Sequence, residues 1–307
     1  MNKTMRTENE ILSLVSEFAY QQSNIKIITL EGSRTNKNIK KDKFQDYDFT
    51  FFVSDVDYFT SEESWLSLFG ELLFIQKPED MELFPPDLDY GYSYIMYFKD
   101  GIKMDITLIN LKDLNRYFND SDGLVKILVD KDNLVTKEIV PDDSNYWLKK
   151  PTEREFHDCC NEFWSVSTYV AKGVFRREIL FALDHFNNIL RPELLRMISW
   201  YIGFNRGFDF SLGKNYKFIN KYLTDKEFNM FLATFEMNGY RKTYQSFKLC
   251  CELFKYYSNK VSCLGNYNYP NYEKILRISF VIIMRINFIS NHIFGCRNFD
   301  FEFGFEL

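Results

Sequence analysis

The chain has 307 residues, 46% of them hydrophobic, 26% charged and 18% aromatic, with a net charge of −5. That balance excludes a largely disordered chain, and at about 150 residues per domain the length predicts two domains. Residues 1–150 carry 18 Lys and Arg against 27 Asp and Glu, and the remainder 20 against 16. The acidic half therefore disfavours a nucleic-acid footprint there; its charge favours a cationic partner or a bound metal, or simply solvates a surface.

The N-terminal MNKTMRTENE has no apolar core of a signal peptide, and Thr7 with Glu10 forms a capping box ahead of a helix bearing Ile11, Leu14, Val15 and Phe18. Ile25–Glu31 reads as a strand, broken at Gly32-Ser33 and followed by a basic, polar loop to Lys43. Asp46–Val53 reads as a second strand, with Asp46, Asp48, Thr50 and Phe52 on one face. Thr60–Gly70 is expected as a short helix capped by Thr60 and Glu63, and Leu72–Gln76 as a third strand. An acidic loop, 78–89, comes next. Tyr92–Phe98 and Ile102–Ile109 then flank Lys99-Asp100-Gly101 as a hairpin. About five strands with few helices predict a mixed sheet rather than repeated βαβ units. No G-x-G-x-x-G or Walker A sequence is present, which removes the Rossmann and P-loop readings.

Beyond Pro151 helical periodicity takes over, and a domain boundary is expected near residue 150. Thr152 and Glu155 cap one helix; Arg176–Asn188 and Glu193–Asn205 follow, the latter closed by Gly207. Thr224 and Glu227 cap another, and Arg241–Lys260 is the longest. The fold class is thus α+β: a mixed-sheet domain over 1–150, a helical bundle over 151–274, and an atypical tail over 275–307. All six cysteines (Cys159, Cys160, Cys250, Cys251, Cys263, Cys296) lie in the second half, and their adjacent pairs match no zinc spacing, so buried free thiols are expected. His157, His185 and His292 form no metal spacing either; His185 is expected as a hydrogen-bonded core residue. The longest apolar run, Ile278–Ile289, is too short for a bilayer and contains Arg285. The reading is a cytoplasmic protein with no membrane partner.

The chemistry is concentrated in Gly32-Ser33, Asp46-x-Asp48 and the strand residue Asp105. Asp46 and Asp48 share a face about 6–7 Å apart, and carboxylates that close repel unless a cation lies between them. A hard divalent ion suits oxygen ligands, and Mg²⁺ suits them best when substrate phosphates complete its shell. Glycine lets the backbone approach an anion, Ser33 adds a hydroxyl, and Arg34 adds charge against a triphosphate. Phosphates on one side and metal carboxylates on the other describe nucleotidyl transfer.

This ordered set resembles the nucleotidyltransferase superfamily that includes DNA polymerase β. More closely, Glu31-Gly32-Ser33-Arg34, Phe44-Gln45-Asp46-Tyr47-Asp48, Pro78-Glu79-Asp80-Met81, Asp105-Ile106-Thr107-Leu108, Ala182-Leu183-Asp184-His185 and the run Leu194 to Tyr201 resemble the aminoglycoside 6-adenylyltransferases, over residues 5 to about 274. The resemblance implies transfer of AMP from ATP to the 6-hydroxyl of streptomycin with Mg²⁺, releasing pyrophosphate. Asp46, Asp48 and Asp105 then match the metal carboxylates, Asp105 also serving as base or orienter, and Gly32 and Ser33 match the phosphate loop.

Streptomycin carries guanidinium groups, which pair with carboxylates. Glu79, Asp80, Glu82, Asp87 and Asp89 offer them, with Glu79 and Asp80 singled out; a solvated acidic turn is the plainer alternative. In the helical half, Glu162, Trp164 and Asp184 are candidates to line the acceptor site and Lys172 to meet the triphosphate. A core or surface role for the first two, and a helix-dipole partner for Lys172, stand beside those assignments. A lincosamide-like acceptor, or an RNA or protein, remains open, as does monomer or homodimer. After Lys274 the resemblance stops, and the 33 residues that follow lack lysine, as a shifted reading frame or foreign segment would.

Overall fold

The computed structural model describes residues 5–86, 88–270 and 272; the expected tail 275–307, Asp87, His292 and Cys296 lie outside the described residues. The chain divides into two units, Met1–Asn145 and Tyr146–Leu307, five residues before the boundary read from sequence.

In the first unit Thr7 accepts from the Glu10 amide while Glu10 accepts from the Thr7 amide, and this box starts α1 (Glu8–Gln21). Its Ile11, Val15, Phe18 and Ala19 turn to the core. The sheet comprises β1 (Ile25–Glu31), β2 (Tyr47–Val53), β3 (Leu72–Gln76), β4 (Gly91–Phe98), β5 (Lys103–Asn110) and β6 (Val125–Asp130), in the order β3-β4-β5-β2-β1-β6. Neighbours are antiparallel except β2 and β5, which are parallel. On one face Leu30, Phe49, Phe51, Tyr94, Met96, Met104, Ile106 and Leu108 pack beneath α1, Trp65 and Phe69. On the other, a smaller apolar cluster forms where Ile27, Phe52 and Ile109 meet Tyr117 of α3 (Leu114–Asp120).

Three local expectations change. The helix foreseen over 60–70 is instead α2 (Asp57–Ser61) followed by a 3₁₀ turn over Ser64–Phe69. Glu63 does not cap it, because its carboxylate pairs with Lys77 and accepts from the Tyr94 hydroxyl. A sixth strand, β6, and the helix α3 were not foreseen. Asp46 precedes its strand rather than opening it.

The second unit is helical. The Thr152–Glu155 box starts α4 (Glu153–Phe175), and the Thr224–Glu227 box starts α7 (Asp225–Ala233), both as read from sequence. Between them the expected helix 176–188 is broken. Arg177 has φ +61°, α5 runs Ile179–His185, and a π-helical turn over Phe186–Leu190 leads into α6 (Arg191–Arg206). A Cβ on Gly173 would lie 2.9 Å from the Ala182 Cβ, so α4 and α5 approach at a residue without a side chain. The long α8 (Tyr240–Gly265) packs on α4 and α6, and Phe254 stacks on Phe163 with ring centres 3.7 Å apart. Buried Arg191 binds the hydroxyl and carbonyl of Thr234 at the end of α7 and lies 3.6 Å over the Phe235 ring, tying α6 to α7. The five described cysteines are free: Cys159, Cys160 and Cys250 are buried as expected, whereas Cys251 is partly open and Cys263 exposed. His185 is half-buried, its Nδ1 2.9 Å from the Phe181 carbonyl of its own helix.

Candidate active site

The pairing of β1, β2 and β5 arranges the second face of the sheet in rows. Ile27, Phe52 and Ile109 align across the three strands, then Thr29, Thr50 and Thr107, then Glu31, Asp48 and Asp105. Each step of two residues moves one row along the same face. Polarity therefore rises from an apolar row through hydroxyls to carboxylates at the strand ends. Glu31 was not singled out from sequence as a site residue. Its placement depends on the register of β1 with β2, and the only local signal is an acidic residue closing an apolar strand.

Asp48 is the middle carboxylate. Burial first, then Asp105, Asp46 and Glu31, push its carboxyl up to about 6, with Lys103 opposing. Burial also raises Glu31, although the hydroxyls of Tyr117 at 2.7 Å and Thr29 at 3.0 Å donate to it. Asp105 is raised by burial, against the pull of Lys103. Gly32 follows with φ +67°, and a Cβ there would sit 2.9 Å from Asp48 Oδ2. The glycine thus serves both the turn and the room for the carboxylate.

The Gly-Ser loop is held from below. Arg34 is buried: its Nε donates to the Asp46 carbonyl at 2.8 Å, Nη2 to the Gln45 carbonyl at 2.6 Å and Nη1 to Glu8 at 3.3 Å. Its guanidinium also lies 3.6 Å over the Tyr47 ring. With all three nitrogens engaged, Arg34 clamps the loop against β2, a role beside the triphosphate contact expected of it. The Gly32 amide donates to the Leu124 carbonyl at 2.9 Å, so it also serves the fold. Ser33 Oγ accepts from Gln45 Nε2 at 3.3 Å, which leaves its own O–H as a donor.

Lys103 lies beside the carboxylates, its Nζ 2.7 Å from Asp105 Oδ2 and 3.1 Å from Asp46 Oδ2. Asp105 Oδ1 is buried without a hydrogen-bond partner. Among the described residues no three His, Cys, Asp or Glu side chains already converge as a metal cage. The donor chemistry nevertheless fits a hard divalent cation: Asp46, Asp48 and Asp105 supply only oxygens, one is orphaned, and their mutual repulsion calls for positive charge.

Of the acidic loop, Glu79 Oε2 accepts from the Ser93 amide at 2.8 Å, and Glu79 Oε1 is buried without a partner. Ser93 is level with Thr107 on β5, and the two hydroxyls are 3.2 Å apart. The bond from the Ser93 backbone amide, in the plane of the sheet, holds Glu79 at the edge of β4. Asp80 accepts from the Tyr92 hydroxyl at 2.8 Å, Asp89 pairs with Arg116, and Glu82 is exposed.

The other candidates belong to the helical unit. Glu162 and Asp184 are exposed, Asp184 accepting from Asn188 Nδ2 at 2.7 Å. Trp164 is 6% exposed, edge-on to Phe163 and Phe254, as the core reading had it; its Nε1 is buried without an acceptor. Lys172 lies 5.5 Å over the Tyr169 ring near the end of α4. No helix among the described residues is long and apolar enough to cross a membrane.

A family model described as streptomycin adenylyltransferase matches residues 5–281. A Staphylococcus aureus aminoglycoside 6-adenylyltransferase is 90% identical over 288 residues, spanning 94% of this chain and 99% of that protein. Proteins of the same name from Bacillus subtilis (strain 168) and Campylobacter jejuni are 51% and 52% identical over 270 residues, each spanning 88% of this chain and, respectively, 95% and 93% of the relative. The crystal structure of an aminoglycoside 6-adenyltransferase from Bacillus subtilis is similar at 44% identity and TM-score 0.45, covering 91% of this chain and 99% of that one. With the family's match running through both units, the chain belongs to the streptomycin adenylyltransferase family and is a nucleotidyltransferase.

Proposed function

We propose that the chain is an aminoglycoside 6-adenylyltransferase that moves AMP from ATP to the 6-hydroxyl of streptomycin and releases pyrophosphate, acting in the cytoplasm and conferring resistance. The observation that carries this reading is the register of β2 with β5, which sets Asp48 beside Asp105 next to the Gly32-Ser33 turn. Identity to named aminoglycoside 6-adenylyltransferases supports it.

In this proposal Asp46, Asp48 and Asp105 hold Mg²⁺, which when bound neutralises phosphate charge and polarises the α-phosphorus. Ser33 donates to a phosphate oxygen, and Arg34 fixes the loop that presents it. Asp105 takes the proton of the 6-hydroxyl as the oxygen bonds to the α-phosphorus, while the α–β phosphoanhydride bond breaks and pyrophosphate leaves. Glu79 and Asp80 pair with the guanidinium groups of the acceptor. Within the helical unit, the exposed carboxylates of Glu162 and Asp184 are available to a cationic acceptor and the Lys172 ammonium to a phosphate, whereas Trp164 supports them from the core.

The test is pyrophosphate release from ATP and Mg²⁺ with a panel of acceptors. Release with streptomycin is expected; release only with a lincosamide or another acceptor would overturn the substrate assignment while leaving the transferase chemistry.

A further inference from the structure

Lys103 is two residues before Asp105 on β5, so both side chains leave the same face of the strand. Tyr47 is level with Met104 in the parallel pairing, which brings the preceding Asp46 opposite Lys103. The ammonium bridges the two carboxylates, 2.7 Å from one and 3.1 Å from the other, and the lysine side chain is only 22% exposed. It stands where Asp46 and Asp105 need a positive charge. Yet one ammonium satisfies only part of the set, for Asp105 Oδ1 stays buried and without a partner.

We infer that Lys103 is the resident cation of the resting site: it holds Asp46 and Asp105 in place until a divalent ion displaces it, and its freed ammonium then pairs with phosphate oxygens of the nucleoside triphosphate. The inference rests on the proposed metal- and nucleotide-dependent transfer. A lysine on a flexible four-carbon stem suits this exchange, since its point charge has no fixed geometry to lose. Lys103 is a positioning residue in the first state and a nucleotide contact in the second.

The experiment titrates Mn²⁺ into the full chain without nucleotide, by calorimetry, for the wild type, Lys103→Met and Lys103→Arg. A competing charge is removed in Lys103→Met, so it should bind Mn²⁺ roughly five- to tenfold more tightly than the wild type, the worth of a partly buried ion pair. Lys103→Arg keeps the charge and should stay within about twofold of the wild type. In chelator, Lys103→Met should melt lower than the wild type and gain more from added Mn²⁺. With Mn²⁺ saturating, α,β-methylene ATP should bind Lys103→Met more weakly than the wild type. Equal Mn²⁺ affinity in the wild type and Lys103→Met, or an arginine variant that behaves like the methionine one, would overturn the inference and leave the metal site standing. Absence of Mn²⁺ binding in all three chains would overturn the metal site and this inference together.

Discussion

Beneath α1, the sheet of the first unit presents Leu30, Phe49, Phe51 and Ile106, all nearly or wholly buried. One residue out of step on the same strands, the reverse face presents Glu31, Asp48 and Asp105. The first face gains stability from apolar area removed from water, at ~1.5–3 kcal/mol for each large side chain. The second holds like charges together, which costs stability until a cation arrives. The same backbone thus serves two opposed purposes, and the difference shows that the burden of the site is carried by the face that does not need to be polar.

Substitutions on the two faces should separate those purposes. Asp48→Asn should lower pyrophosphate release on the order of a thousandfold or more, several kcal/mol of charge stabilisation, with an unchanged circular dichroism spectrum. Retained turnover would remove Asp48 from the metal site. Phe51→Ala should do the reverse, costing about 3–5 kcal/mol in urea unfolding while the turnover of the folded fraction persists. Gly32→Ala should touch both faces at once: the left-handed backbone costs roughly 1–2 kcal/mol, and the new methyl meets Asp48 Oδ2, so activity falls with stability.

The smallest effect lies at the rim, where Arg6 pairs with Asp100 in the turn after β4. Burial opposes ionisation of Asp100, but the bonds from Arg6 and the Ile102 amide prevail and hold its carboxyl below the ordinary value. A depressed folded value means that its contribution is complete above the unfolded carboxylate range and is lost as pH falls through the folded value. The melting temperatures of the wild type and Asp100→Asn should therefore differ most above the ordinary carboxylate range and converge as pH falls below it.

What could be read from the sequence was local. The boxes at Thr7, Thr152 and Thr224 each join residues three apart, and all three form. The Asp-x-Asp pair and the Gly-Ser turn were equally visible. The failures were competitions between distant groups. Glu63 has the spacing of a cap but goes to Lys77 and Tyr94. The partners of Arg34 were hidden in the same way, because nothing nearby in sequence announces Glu8 or the carbonyls of Gln45 and Asp46. β6 was missed because its pairing with β1 joins strands some hundred residues apart. Glu31 joins the carboxylate row only through the register of β1 with β2. In the helical unit the gap expected between residues 188 and 193 is instead a π turn at Phe186–Leu190 that carries α5 into α6 without a break.

The rows across β1, β2 and β5 carry a consequence for changes in chain length. Facing alternates with every residue, so deleting Ile106 from β5 would move Asp105 into its place in the layer of Tyr94 and Phe49 and bring Met104 out beside Asp48. The exposed stretch 40–44 between the turn and β2 has no such constraint. Insertions there should be absorbed, whereas an equal insertion inside a strand would dismantle the site and the core together.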